Sequence, residues 1–173
     1  GNMIRQPDKT YIQRKFGYQG VPVLLEHLPS RVQLDGPKRK LTDLLISNSV
    51  LLVSDRFRSV VQDLEPDRHQ FAPVKLVWND GSQAADFFWF YPCARVDGMD
   101  RAATTHELHR ERNWKHTPGG TYVVSLNRVG DHNIWIDPRI LAFDFPFVTE
   151  KFKRSMDDVE VEGVGYREIQ AVN

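Results

Sequence analysis

Apolar and polar positions along this chain change period several times, and each change marks an element. "LTDLLISNSVLLVS", residues 41 to 54, holds two apolar runs around Ser47-Asn48-Ser49. That pattern fits a short helix or strand, a turn, and a buried strand over Val50 to Val53. From Ser54 the period becomes helical, because Phe57, Val60, Val61 and Leu64 fall at i, i+3, i+4 and i+7 on one stripe. Ser54 is placed to cap that helix, Asp55 to favour the positive end of its dipole, and Pro66 to end it. "FAPVKLVW" (71 to 78) and "DFFWFYP" (86 to 92) read as strands of one hairpin, since Asn79-Asp80-Gly81 between them is strong turn chemistry. "VDGMDRAATTHELHRERNWKH" (96 to 116) is polar and predicts a loop with a short helical stretch, ended by "TPGG". "TYVVSLNRV" (121 to 129) predicts a strand, Gly130-Asp131 a turn, and "NIWID" (133 to 137) a second strand.

One stretch is said twice. "VSDRFRSVVQDLE" (53 to 65) returns as "VTEKFKRSMDDVE" (148 to 160), and the match runs ungapped through Phe71/Tyr166 and Val74/Ile169. The second copy predicts a helix capped by Thr149, with Glu150 first and Phe152, Met156 and Val159 as its stripe, followed by a strand led by Tyr166. A strand-helix-strand unit needs a cap, an early acid and one apolar stripe wherever it occurs, so shared physical demands account for the likeness as readily as a duplication does.

Before residue 41 the pattern breaks up. Pro7, Pro22, Pro29 and Pro37 punctuate residues 1 to 40, and only "VPVLLEHL" (21 to 28) looks ordered. This region is expected to be an N-terminal arm packed on a body formed by residues 41 to 173. Strands and helices alternate without regular βαβ order, so the fold class is α+β: antiparallel hairpins and a mixed sheet with a few short helices in a single domain.

Composition narrows the function classes. A chain of 173 residues with 40% hydrophobic and 27% charged residues has room for one ordinary globular core. No apolar run approaches the roughly 18 residues of a membrane span, and no secretory signal is visible, so a cytoplasmic protein is expected. The single cysteine, Cys93, excludes an internal disulfide. Net charge is zero, with 8 Lys/Arg against 3 Asp/Glu in the first 40 residues and 4 against 7 in residues 144 to 173. That is a modest dipole and not a nucleic-acid footprint.

Candidate chemistry is sparse. His106 and His109 stand at i, i+3, and on a helix they would share a face that His116, His132 or Cys93 could complete as a zinc site. The spacing is one short of the zinc-protease pattern, and the Arg and Glu density around it marks a solvated face. Asp97 and Asp100 could hold Mg²⁺, but no phosphate-cradling loop accompanies them, and capping of local turns is the simpler role. Cys93 has only Arg95 beside it and reads as an inert thiol. Lys38-Arg39-Lys40 reads as a solvated turn. No catalytic, cofactor or metal residue is therefore expected.

From about Leu41 onward the chain resembles the bacterial immunity protein family Imm11, also known as DUF1629, whose members accompany polymorphic toxins. The resemblance rests on "LLVSDRF" (51 to 57), "FAPVKL" (71 to 76), "YPCARVDGMDRAAT" (91 to 104), "RVGDHNIWIDPRIL" (128 to 141), "FVTEKFKRSM" (147 to 156) and "EGVGYREI", in that order. Thr149 stands where the family usually has serine, which keeps the cap chemistry. The resemblance implies a non-catalytic antidote that binds and neutralises a cognate protein toxin, with neither nucleic acid nor membrane as partner. It transfers no catalytic residue. Its motif residues Asp97, Asp100, Asp131, Trp135 and Asp137 serve either the fold or the toxin contact. The long charged segment from Asp97 to His116 is the expected face, with Asp97, Asp100, Arg101, His106, Glu107, His109 and Trp114 as partner-binding residues. The alternatives are a small metal- or phosphate-handling enzyme using Asp97, Asp100, His106 and His109, and a regulatory module that recognises a peptide or a nucleic acid.

Overall fold

A computed structural model describes residues 3–7, 10–13, 19–47, 50–140 and 145–173. Its first strands, β1 (Met3–Arg5) and β2 (Tyr11–Gln13), pair antiparallel. A 3-10 turn at Leu25–His27 and β3 (Arg31–Gln33) follow. β4 (Leu44–Ser47) and β5 (Val50–Val53) then form the two strands around Ser47, and positions 48 and 49 of the expected turn lie outside the described residues. α1 (Asp55–Leu64), β6 (Gln70–Val77) and β7 (Gln83–Tyr91) complete the main sheet, whose order is β3-β6-β7-β5-β4. It is mixed, since β3 runs parallel to β6 and the other pairs are antiparallel.

The β6–β7 hairpin forms where the turn chemistry predicts it. Gly81 takes φ 81°, its N–H donates to Trp78 O at 2.9 Å, and Asp80 Oδ1 accepts from both the N–H and the hydroxyl of Ser82. Only glycine adopts that φ without a steric cost. Strand alternation sorts the sheet's two faces. Leu51, Val53 and Phe90 face α1 and its partner helix, while Leu52, Trp89 and Tyr91 face the other way. That second face is covered by the N-terminal region: Val23, Leu25, Leu28, Val32 and Leu34 pack on it, and Trp89 Nε1 donates to Pro29 O at 2.8 Å. The arm is thus part of the core, and β3 is one of the sheet's edges.

Beyond β7 the structure departs from the sequence expectation in several places. Residues 96–116 carry no helix; β8 (Glu107–His109) and β9 (Asn113–Lys115) form a hairpin with Leu108 opposite Trp114. Its turn uses Arg110 and Glu111 at φ 49° and 55°, closed by Arg112 N–H on His109 O at 2.9 Å. Two left-handed non-glycine residues carry no turn signal, which is why this hairpin is hidden in the sequence. β10 (Val123–Ser125) stops early, and Leu126 to Val129 coil into the short α2 (Leu126–Val129). β11 (Ile134–Trp135) and β12 (Phe147–Val148) pair antiparallel ahead of α3 (Glu150–Asp158). The strand expected from Tyr166 begins only at β13 (Gln170–Val172), where β10 supplies a parallel partner. Val159 does not extend the α3 stripe; it is the helix C-cap and is 41% exposed.

The repeated sequence does build two matching corners. Ser54 N–H donates to Asp43 O at 2.9 Å and its hydroxyl to Asp43 Oδ1 at 2.6 Å. Thr149 N–H donates to Asn133 O at 3.0 Å and its hydroxyl to Asn133 Oδ1 at 3.0 Å. Each hydroxyl then accepts the N–H three residues on, from Phe57 or Phe152, at 3.2 Å. The residue after each buttress, Leu44 or Ile134, pairs with the valine before each cap, Val53 or Val148. The two helices meet where Phe57 and Phe152 contact edge to face, with ring centroids 6.1 Å apart. The likeness ends with the helices, since the strands that follow differ in position and partner.

Candidate functional site

Two isolated bridges, Arg95 with Ile136 and Met99 with Val124, hold the chain on either side of Asp97. That carboxylate is a hub. Its Oδ2 accepts from Arg128 Nη2 at 3.0 Å, from Arg139 Nε at 2.8 Å and from Arg101 Nη2. Arg128 also donates through Nε to Asp97 O at 2.9 Å. Arg139 reaches on to the hairpin tip, where its Nη1 donates to Glu111 O and, at 3.3 Å, to Arg112 O. Arg101 lies over the Trp114 ring, 5.3 Å from its centroid, and burial lowers its pKa. Asp97 Oδ1 is buried and has no hydrogen-bond partner among the described residues.

Beneath this surface Asp137 is only 2% exposed. Its Oδ2 accepts Gly98 N–H at 2.9 Å and its Oδ1 accepts Arg139 N–H at 2.8 Å. Burial, with the charge of Asp97 adding to it, pushes the Asp137 carboxyl up to about 6. The two bonds tie the segment around Gly98 to the one that carries Arg139, which is how two distant stretches of sequence deliver their groups to one place.

The other predicted residues have separate partners. Asp100 Oδ1 accepts the N–H groups of Ala102 and Ala103 at 2.9 and 2.7 Å, a turn cap. His106 is buried, its Nδ1 accepts Thr117 N–H at 3.0 Å, and its ring centroid is 4.0 Å from that of Tyr122. Burial, with His116 adding to it, lowers its pKa. A Cβ at Gly120 would come within 2.5 Å of His106 Nδ1, so the imidazole packs directly on backbone. Glu107 is exposed, 3.6 Å from His109 Nδ1 and 3.8 Å from Lys115 Nζ. Trp114 is 5% exposed and supports Arg101 from below. The structure therefore joins Asp97, Arg101 and Trp114, and places Asp100, His106, Glu107 and His109 in other settings.

This arrangement removes the geometry on which the zinc and magnesium alternatives depended. His106 and His109 lie on a strand and its approach, where an odd separation sends side chains to opposite faces. Among the described residues no three His, Cys, Asp or Glu side chains are grouped so as to hold a metal ion. Lys38 and Lys40 form exposed ion pairs with Asp80 and Glu162, as a solvated turn does.

A second polar line runs through the core, and sequence spacing had not brought it together. Glu65, with its side chain 1% exposed, accepts from Arg68 Nη1 and Asn133 N–H at 2.8 Å each, and from His69 Nε2. Burial opposes its ionisation, but these donors hold its pKa below the usual carboxylate value. His69 Nδ1 accepts Cys93 N–H at 3.0 Å, which places the imidazole proton on Nε2. The order Glu-His-Cys has the look of a triad without its chemistry. The imidazole faces the cysteine's backbone, the thiol donates to Tyr91 O at 3.2 Å, and burial raises the thiol pKa.

The fold and this site define an α+β domain whose polar clusters fix loops to one another. A profile of the immunity protein family Imm11 matches residues 1–171, and the chain belongs to that family. The match takes in the N-terminal 40 residues that the sequence motifs had left outside it. No curated protein sequence matches the chain. Among the described residues no helix is long and apolar enough to cross a membrane.

Proposed function

We propose that this chain is the cytoplasmic antidote to a polymorphic bacterial toxin, and that it acts by binding the toxin domain and not by chemistry. The observation that carries this reading is the family match over residues 1–171. The site supports it, since Asp100 is committed to a turn, His106 to Thr117, His69 to Glu65 and Cys93, and Asp97 to three arginines. A stable complex needs about 800 Å² from each partner. The surface from Asp97 to Trp114 offers Arg101, Glu107 and His109 as contacts, with Asp97, Asp100, His106 and Trp114 holding their shape from beneath.

The test is co-expression with a toxin domain found among the neighbouring reading frames by its arrest of growth when expressed alone. Growth should be restored to cells that the toxin domain alone arrests, and the two chains should co-purify. Continued arrest at full expression of the antidote would contradict the reading.

A further inference from the structure

We infer that the surface around Asp97 is the toxin-contacting face and that it receives an acidic patch of the partner protein, whose carboxylates dock on Arg101 and Arg128 beside the β8–β9 tip. This rests on the immunity reading and adds the chemistry of the partner to it.

Charge is the first ground. Three guanidinium groups converge on one carboxylate oxygen, and Asp137 beneath them is buried with both oxygens occupied by backbone N–H groups. Cations outnumber anions there. Arg139 has 11% of its side chain exposed and is occupied by the hairpin tip, whereas Arg101 and Arg128 have 33% and 39% exposed. Among the described residues, Arg101 uses only Nη2 in a hydrogen bond and Arg128 leaves Nη1 without one. Both can therefore donate outward without leaving Asp97, and the planar guanidinium fork matches a carboxylate.

Order is the second ground. A shared carboxylate and the Trp114 ring fix these side chains before any partner arrives, so little conformational freedom is lost on binding. Strain is the third. Arg110 and Glu111 sit at φ 49° and 55°, where Asn-Gly would turn without strain, and both are exposed. Arg139 holds the carbonyls of Glu111 and Arg112 in that turn. Backbone strain kept at a surface rim, next to an unbalanced charge cluster, is characteristic of contact sites.

A protein fits better than a nucleic acid. The chain has no net charge, and Asp97, Glu107 and Glu111 interrupt the arginines, so no continuous basic stripe follows a phosphate backbone.

The experiment measures affinity for the purified toxin domain that the co-expression test identifies, with Arg101→Gln, Arg128→Gln and Arg110→Glu variants. Arg110 makes no bond in the clamp, so its variant keeps the test independent of folding, and thermal unfolding checks the other two. Each variant should bind about tenfold more weakly, with a shallower salt dependence, while Lys151→Glu on exposed α3 should bind as the unmodified protein does. Affinities within twofold of the unmodified protein for all three variants would overturn the inference and leave the immunity reading intact. No binding by the unmodified protein would instead overturn both. Tighter binding to a 12-nucleotide single-stranded DNA than to the toxin domain, weakened by the same variants, would assign the face to nucleic acid and overturn the inference.

Discussion

Asp137 and the pair Asp43 and Glu65 show how burial acts in two directions on the same kind of group. Burial raises the Asp137 carboxyl to about 6, above the ordinary value near 4. The unfolded chain releases this proton first as pH rises, so the Asp137 contribution is fully present below about pH 4 and is lost between about pH 4 and 6. Asp43 and Glu65 have the opposite sign. Burial opposes their ionisation too, but Arg56, Glu162 N–H and Ser54 hold Asp43 below its usual value, and His69, Asn133 N–H and Arg68 do so for Glu65. Their contribution is present above about pH 4 and lost as pH falls below it. Thermal unfolding should therefore show greatest stability near pH 4 to 5. In Asp137→Asn the decline from about pH 4 to 6 should disappear, and stability at acid pH should be lower, because an amide nitrogen cannot accept one of the two N–H groups that the carboxyl now satisfies.

Single residues also explain what the sequence could and could not disclose. Ser54 and Thr149 announce themselves, since capping is a local interaction written within four positions. The Asp97 clamp is built from positions 97, 101, 128 and 139, and only the first two fall at a readable spacing. Arg128 and Arg139 reach it through Asp137 and the bridges beside it, contacts that no local period encodes.

At the scale of elements, the two corners share their bonding more closely than their sequences. Asp43 and Asn133 differ in charge, yet each accepts the N–H and the hydroxyl of its cap residue. Ser54→Ala and Thr149→Ala should each lower stability by about 1 kcal/mol, measured by urea unfolding, as loss of a cap does. A change at Thr149 without effect would separate the second corner from the first.

The β8–β9 hairpin gives the opposite lesson. Its alternation is hidden by Arg and Glu residues that suit a helix equally well, and its turn lacks the expected glycine. Left-handed backbone costs about 1–2 kcal/mol for an ordinary residue. Replacing Arg110 and Glu111 together by Asn and Gly should raise stability by about 1 kcal/mol, and no gain in urea unfolding would contradict the strained turn. The late start of β13 has a similar cause, because the aromatic at Tyr166 suggests a strand while the partner that makes one, β10, lies further along.

For the whole molecule, the α+β class and the central hairpin were readable because alternation and turn chemistry agree there. The face that the N-terminal arm covers was not, because the arm's apolar residues are few and separated by prolines, and it takes the apolar outer face of the sheet to show what they pack on. Together these layers set the segment from Asp97 to Lys115 on the cluster of Met99, Val124, Val129 and Trp135. A charged surface without a reactive pair among the described residues is what the proposed antidote, acting by occupying its target, would need.

Titration of the purified toxin domain with this protein, following toxin activity, tests that claim most directly. Activity should fall linearly and vanish at one antidote per toxin, and return when the complex is dissociated. Loss of activity at a small fraction of that ratio, or loss that persists after dissociation, would mean that the protein alters the toxin chemically and would contradict neutralisation by binding.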